Sequence, residues 1–320
     1  MKTSVIKTIK FLSFLFAGLA LLYFAFNNID LAEMLSDIRQ ADYRWVGFSA
    51  LLCVLAIVFR TFRWQLLIEL LGEKPKKMNI FHAINTGYLA NFSFPRIGEI
   101  ARCAALNKTD KIPVDKLIGT VVIERLFDLI MTALMLCLIL ILRYQMVSAF
   151  INEHIIQPIG QSENILTIVV VTVLILATIY IIYRILKKLF KEKIQSLLSG
   201  VTEGVKTVTR LKKIRLFVLL NFLIFGMYFL QSYVLFFALD CTSSLGLSDA
   251  LFVLVLSSLA FIVPVPAGIG AYHGIVAMGL TILGLTYAQG IVYATISHSV
   301  TSIVLIILGT ISVLFVLFKK

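Results

Sequence analysis

An all-α polytopic membrane fold, with about six full transmembrane helices and two re-entrant broken-helix hairpins in an inverted repeat, is predicted by three observations. Of the 320 residues, 60% are hydrophobic and 14% charged, whereas soluble domains carry about a quarter charged residues. Several apolar runs reach the roughly 20 residues that a helix needs to cross a hydrocarbon core of about 30 Å. Two more apolar runs are interrupted by Pro and Gly. Helices alone fit, because a membrane barrel would read as short alternating strands.

The first run, about 8 to 26, follows Lys2, Lys7 and Lys10. It superficially resembles a secretory signal but lacks a small-residue cleavage site, so it reads as a retained first helix. Further full spans are expected at about 45 to 66, 117 to 142, 164 to 183, 216 to 239 and 289 to 318. The broken segments are about 79 to 106, interrupted at Phe94-Pro95-Arg96-Ile97-Gly98, and 249 to 285, interrupted at Val263-Pro264-Val265-Pro266-Ala267-Gly268-Ile269-Gly270.

Charge decides whether a broken segment crosses or turns back, because cytoplasmic loops carry the excess of Lys and Arg. The basic N-terminus is then inside, and Asp30, Glu33, Asp37 and Asp42 lie outside. The second span returns to Lys74, Lys76 and Lys77. If the first broken segment crossed, Lys108, Lys111 and Lys116 would sit outside; a hairpin keeps them inside. Residues 184 to 215 bring ten basic side chains against Glu192 and Glu203, a basic cytoplasmic linker. The second broken segment must then enter and leave from outside, so that Lys319 and Lys320 end inside. The expectation is a multi-pass protein of the cell (inner, cytoplasmic) membrane with both termini cytoplasmic.

The order of elements repeats with opposite orientation in a single membrane domain, 1 to 320, with halves of approximately 1 to 143 and 164 to 318. Each half carries an amphipathic linker, one striped by Leu31, Met34, Leu35 and Ile38, the other by Ile194, Leu197, Leu198, Val201, Val205 and Val208. Inverted repeats with interrupted helices place a substrate site where half-helix ends face a cavity, which favours transport. The plainer alternative is that Pro and Gly kink two ordinary spans.

A net charge of +12 does not point to nucleic acid, because the basic residues cluster between apolar runs; membrane lipids, with anionic headgroups at the basic linker, are the expected partners. Cys53, Cys103, Cys137 and Cys241 stand singly, so neither a disulfide nor a metal site is expected, and no cofactor is implied. The sequence holds no G-x-x-x-x-G-K-[ST], D-x-D, H-E-x-x-H or G-x-S-x-G. These absences favour a transport protein over an enzyme.

Ionisable residues inside a span are costly and need partners. Glu124, Arg125 and Asp128 fall on one face of a span, with the carboxylates at i and i+4. They are either a self-neutralising structural network or a binding or coupling site. Their one net negative charge calls for a bound proton or a further cation, for which Arg96 and Arg102 are candidates. The first break gathers Asn91, Pro95, Arg96, Gly98, Glu99 and Arg102. Pro95 would start a half-helix whose amides, with Arg96, would hold a phosphate; alternatively Arg96 and Glu99 simply pair. In the second, broken at Pro264, Pro266, Gly268 and Gly270, no Asp, Glu, Lys or Arg occurs from Ala250 to Phe318. His273, just beyond the break, is a candidate ligand or proton-transfer group or a packing residue, as is His298. Trp45 and Trp64 stand nineteen residues apart, about 28 Å along a helix. That spacing places them at the two interfaces, with Arg60 and Arg63 reaching cytoplasmic headgroups.

Together, Arg60-Thr61-Phe62-Arg63-Trp64, Asn91, Phe94-Pro95-Arg96-Ile97-Gly98-Glu99, Arg102, Glu124-Arg125, Asp128 and Pro264-Val265-Pro266-Ala267-Gly268-Ile269-Gly270 resemble the transmembrane region of lysylphosphatidylglycerol synthases and their stand-alone flippase-like homologues. The resemblance covers nearly the whole chain and implies movement of an aminoacylated or otherwise modified phospholipid, or of a polyprenyl-linked lipid, between leaflets. Two-domain relatives also bear a soluble aminoacyl-transferase domain; this sequence ends at Lys320 without one, so it is not expected to aminoacylate phosphatidylglycerol. Many relatives have glutamate where His273 stands, and histidine suits an uncharged or anionic headgroup better than a cationic one.

The function expected is a lipid flippase. Arg96 and Arg102 would contact phosphate, and Glu99, Glu124 and Asp128 a cationic group or coupling proton. The alternatives are a membrane-embedded transferase with Glu124 or Asp128 as general base, or an accessory membrane subunit. Protein partners would be further copies of the chain or a separate lipid-modifying enzyme.

Overall fold

The computed structural model describes residues 13, 16–27, 29–94, 97–145 and 211–319. Their order is α1 (Phe16–Phe26), α2 (Leu31–Gln40), α3 (Tyr43–Glu69), α4 (Lys77–Ser93), α5 (Gly98–Asp110), α6 (Val114–Leu142), α7 (Ile214–Phe236), α8 (Leu247–Ala260), α9 (Ala271–Ile282) and α10 (Tyr287–Phe318). Short 3-10 turns lie at Asp240–Thr242 and Pro266–Gly268. No strand occurs among the described residues. The chain divides into two compact units, Met1–Met135 with Leu211–Lys320, and Leu136–Arg210. In the second unit only residues 136–145 are described, the end of α6 and the three residues after it.

Among the described residues, α3, α6, α7 and α10 are long and apolar enough to cross a membrane. They coincide with four of the expected spans because each is an unbroken apolar run, with propensity and hydropathy pointing the same way. Their surfaces carry exposed leucine, isoleucine and phenylalanine, as lipid-facing helices do. The expected first span is described only as α1, and the span at 164 to 183, the linker stripe 194 to 208 and most of the basic linker lie outside the described residues. Local signals set the starts. Asp30 caps α2 through the Ala32 and Glu33 amides, Asp42 caps α3 through Arg44, and Thr286 with Gln289 forms a capping box on α10.

Both broken segments fold back. In the first, α4 and α5 pack against each other, and Asn79 near the start of α4 donates to both Asp110 oxygens at the end of α5, at 2.8 and 3.0 Å. The segment therefore returns to where it began. The helices cross where glycines leave no side chains between them: a Cβ on Gly87 would lie 2.6 Å from the Gly98 carbonyl oxygen, and one on Gly98 would meet that of Gly87. In the second, Tyr272 near the start of α9 accepts a hydrogen bond from Ser257 near the end of α8, at 3.3 Å. Gly279, further along α9, packs on Phe252 and Leu256. At 17 and 13 residues for α4 and α5, and 14 and 12 for α8 and α9, each helix is about 18 to 26 Å long. None reaches across about 30 Å of hydrocarbon.

Contacts also sort the helix ends. The Asp42 amide donates to Ala238, Arg60 to Tyr228 and Arg63 to Asn221, so α3 and α7 run antiparallel. Lys319 donates to Asn79, and Lys108 to the Leu317 carbonyl. One end of this unit thus gathers Lys77, Lys108, Lys213 and Lys319, and the other Asp42, Asp240 and Asp249. The α4–α5 hairpin opens toward the basic end and the α8–α9 hairpin toward the acidic one.

Candidate functional site: an arginine-carboxylate cluster beside a cavity

Glu124, ten residues into α6, is wholly buried in a helix that is otherwise largely apolar. A carboxylate there survives only with compensating donors. Four guanidiniums supply them. Arg60 Nη1 lies 3.0 Å from Oε1, Arg63 Nη2 3.1 Å, Arg125 Nη2 2.8 Å, and Arg102 Nη1 3.2 Å from both oxygens. One turn on, Asp128 is held by Arg60 at 3.1 Å, Arg63 at 2.8 Å and Arg125 at 3.1 Å. The Arg63 contacts are close but poorly aligned for hydrogen bonding to the carboxylates; its aligned bond, at 2.6 Å, goes to Asn221 on α7.

The expected i, i+4 carboxylate pair and the i, i+3 pairing of Arg125 with Asp128 are therefore present, and Arg102 is one of the cations that the triplet required. Arg60 and Arg63 do not occupy the expected interface. They are 6% and 0% exposed and turn inward from α3 onto α6. Trp64 likewise is wholly buried, donating to Thr120 at 2.9 Å with the Arg102 guanidinium 4.6 Å over its ring. The physical reason is that burying Glu124 demands cations more strongly than the headgroup region attracts them. A signal was available: two arginines three apart on one span complement two carboxylates four apart on another. Asn221 and Tyr228, the polar partners from α7, are isolated polar residues in an apolar run and carry the same kind of signal.

Beside this cluster lies a cavity of about 770 Å³. Its lining includes Arg60, Tyr88, Asn91, Glu99, Arg125 and Asp128 from α3 to α6, and Ser257, Ser258, Tyr272, Ser297, His298, Thr301 and Ser302 from α8 to α10, with Pro264, Ala267 and Gly268 at the second break. Both hairpins thus reach the same space. Asn91 accepts from the Gly98 amide at 2.8 Å, which occupies a donor that an anion at this helix start would use. The helix begins at Gly98, later than Pro95. Pro95 and Arg96 lie outside the described residues. Glu99 has one buried oxygen without a hydrogen-bond partner.

In the second hairpin Gly268 and Gly270 adopt φ of +76° and +81°, and Pro266 is buried. Gly270 allows the α1 backbone to approach, since a Cβ there would lie 2.5 Å from the Leu22 nitrogen. His273 is buried in the first turn of α9, its ring beside Phe26 and 5.0 Å from that of His298. It stays off the cavity wall, which His298 lines while holding the Ala267 carbonyl at 2.9 Å.

Comparison with known proteins agrees with this architecture. Residues 10–309 match the family described as the lysylphosphatidylglycerol synthase TM region. The chain belongs to that family. A 120-residue stretch is 29% identical to a UPF0104 membrane protein of Methanocaldococcus jannaschii, covering 37% of this chain and 34% of the relative. The chain thus spans about a third of the length of that relative. No solved structure matches significantly. As a member of the lysylphosphatidylglycerol synthase TM region family, the chain is a multi-pass membrane protein, helical throughout its described elements.

Proposed function

We propose that this protein carries the headgroup of a phospholipid or polyprenyl-linked lipid from one leaflet of the cell membrane to the other. The supporting observation is the cavity itself, about 770 Å³, walled by both broken hairpins and by the arginine-carboxylate cluster. That volume is within the range of small-molecule sites, and it offers a polar group surroundings that lipid tails cannot. In this reading the basic end faces the cytoplasm, both termini lie there, and the hairpins are re-entrant from opposite faces. The halves form an inverted repeat of long helix, hairpin and long helix: α3, α4–α5 and α6, then α7, α8–α9 and α10.

A transferase using Glu124 or Asp128 as general base fits less well. Both Glu124 oxygens accept hydrogen bonds from guanidiniums, as does one Asp128 oxygen, and the other Asp128 oxygen lies 2.8 Å from Arg63, so every carboxylate oxygen is already engaged by a cation. The test is reconstitution. Liposomes containing the pure protein and a trace of headgroup-labelled native lipid should exchange label between leaflets faster than empty liposomes. Unchanged exchange across all native lipid extracts overturns the reading.

A further inference from the structure

Among the described residues the charges around the cavity do not cancel. There Arg60, Arg63, Arg102 and Arg125 face Glu124 and Asp128, which leaves the cluster two positive charges beyond neutrality. Glu99, on the same cavity, lowers the surplus to one, and it has no arginine partner of its own among the described residues. The surplus reaches the cavity through Arg60 and Arg125, and the Arg125 side chain is 42% exposed. A guanidinium away from water calls for an anion, and phosphate oxygens match its planar fork.

The wall formed by α8 to α10 has a different chemistry. From Ala250 to Phe318 there is no charged residue, and the wall presents the hydroxyls of Ser257, Ser258, Tyr272, Ser297, Thr301 and Ser302. Several bond within the wall, Tyr272 with Ser297 at 2.8 Å for example, but a hydroxyl has one donor and two acceptor positions, so each retains capacity for a ligand. Such a wall satisfies hydroxyl groups and cannot balance an ammonium.

On the translocase reading above, we propose that the cavity selects a lipid with a singly charged phosphodiester and an uncharged polyol beyond it. The phosphate lies against Arg60 and Arg125, the polyol lies against the hydroxyl wall, and Glu99 accepts a hydrogen bond from a polyol hydroxyl. A single ammonium cancels the headgroup's own phosphate charge, and the two of a lysyl headgroup exceed it, so neither balances the surplus of the cavity.

The experiment measures binding separately from transport. The full-length protein in detergent is equilibrated with phosphatidylglycerol, phosphatidylethanolamine and a lysyl-modified phosphatidylglycerol, and bound lipid is counted by native mass spectrometry. Phosphatidylglycerol should bind about tenfold tighter than either amine-bearing lipid, as one charge-assisted contact provides. In Arg125→Gln the preference should fall below about threefold. That variant keeps three guanidiniums on the two carboxylates, so the cluster stays neutralised. A second variant, Thr301→Val with Ser302→Ala, leaves every ion pair intact and should weaken phosphatidylglycerol relative to phosphatidic acid. Equal binding of the three lipids, or preference for an amine, overturns the inference. Displacement by soluble glycerophosphoglycerol at equal concentration overturns the assignment to a lipid. Selective binding without leaflet exchange overturns translocation and leaves the selectivity standing, whereas exchange without selectivity does the reverse.

Discussion

Two glutamates one helix apart have opposite surroundings. Glu124 is wholly buried under four guanidiniums, while Glu99 lines the cavity with a buried oxygen that no donor meets. Removing one partner from a buried ion network leaves uncompensated charge and costs about 3 to 5 kcal/mol. Glu124→Gln is therefore expected to lower the unfolding midpoint sharply in a detergent melt. Glu99→Gln should hold stability within about 0.5 kcal/mol, as substitutions away from such networks do, and alter leaflet exchange instead. Equal melts for the two variants would contradict this assignment. At this scale the sequence was legible where groups are local to one helix: Glu124, Arg125 and Asp128 announce themselves by spacing. It was misleading for Arg60, Arg63 and Trp64. Their spacing from Trp45 fits a span, but length along a helix says nothing about which face is buried, and the decisive attraction comes from α6, 64 residues away for the Arg60–Glu124 pair.

At the scale of elements, the hairpins depend on backbone contact. Gly87 and Gly98 meet with no side chain between α4 and α5, so Gly98→Ala forces the helices apart or bends one of them. Overpacking of this kind costs about 1 to 3 kcal/mol. Gly119 on α6 has nothing within 4 Å of a built Cβ, so Gly119→Ala should be neutral or stabilise by up to about 1 kcal/mol. Melts of the two variants side by side check the pair. The breaks were legible because Pro and Gly punctuate otherwise apolar runs. What the punctuation did not disclose was detail: α5 starts at Gly98 with Asn91 on its amide, and His298 faces the cavity while His273 turns toward α1. Rotation about a helix axis is set by packing partners that no local pattern encodes.

At the scale of the molecule, the separation of charge between the two ends of the unit formed by Met1–Met135 and Leu211–Lys320 predicts sidedness. Cysteines introduced at Lys111 and Ser243, in a background with Cys53, Cys103, Cys137 and Cys241 replaced, should react from opposite sides of the membrane. An impermeant maleimide added to intact cells should label Ser243→Cys, and should label Lys111→Cys only after permeabilisation. The reverse pattern would invert the orientation, and labelling of both from outside would break the hairpin topology.

The approach of α1 to the second break bears on motion. Leu21 and Leu22 lie backbone to backbone against Gly270, and Gly18 packs on Val265 and Pro266. Side chains between two elements can absorb a shift by changing rotamer; a bare backbone contact has no such slack. A displacement of the Pro266–Gly270 turn therefore has to carry α1 with it, and the position of one reports that of the other.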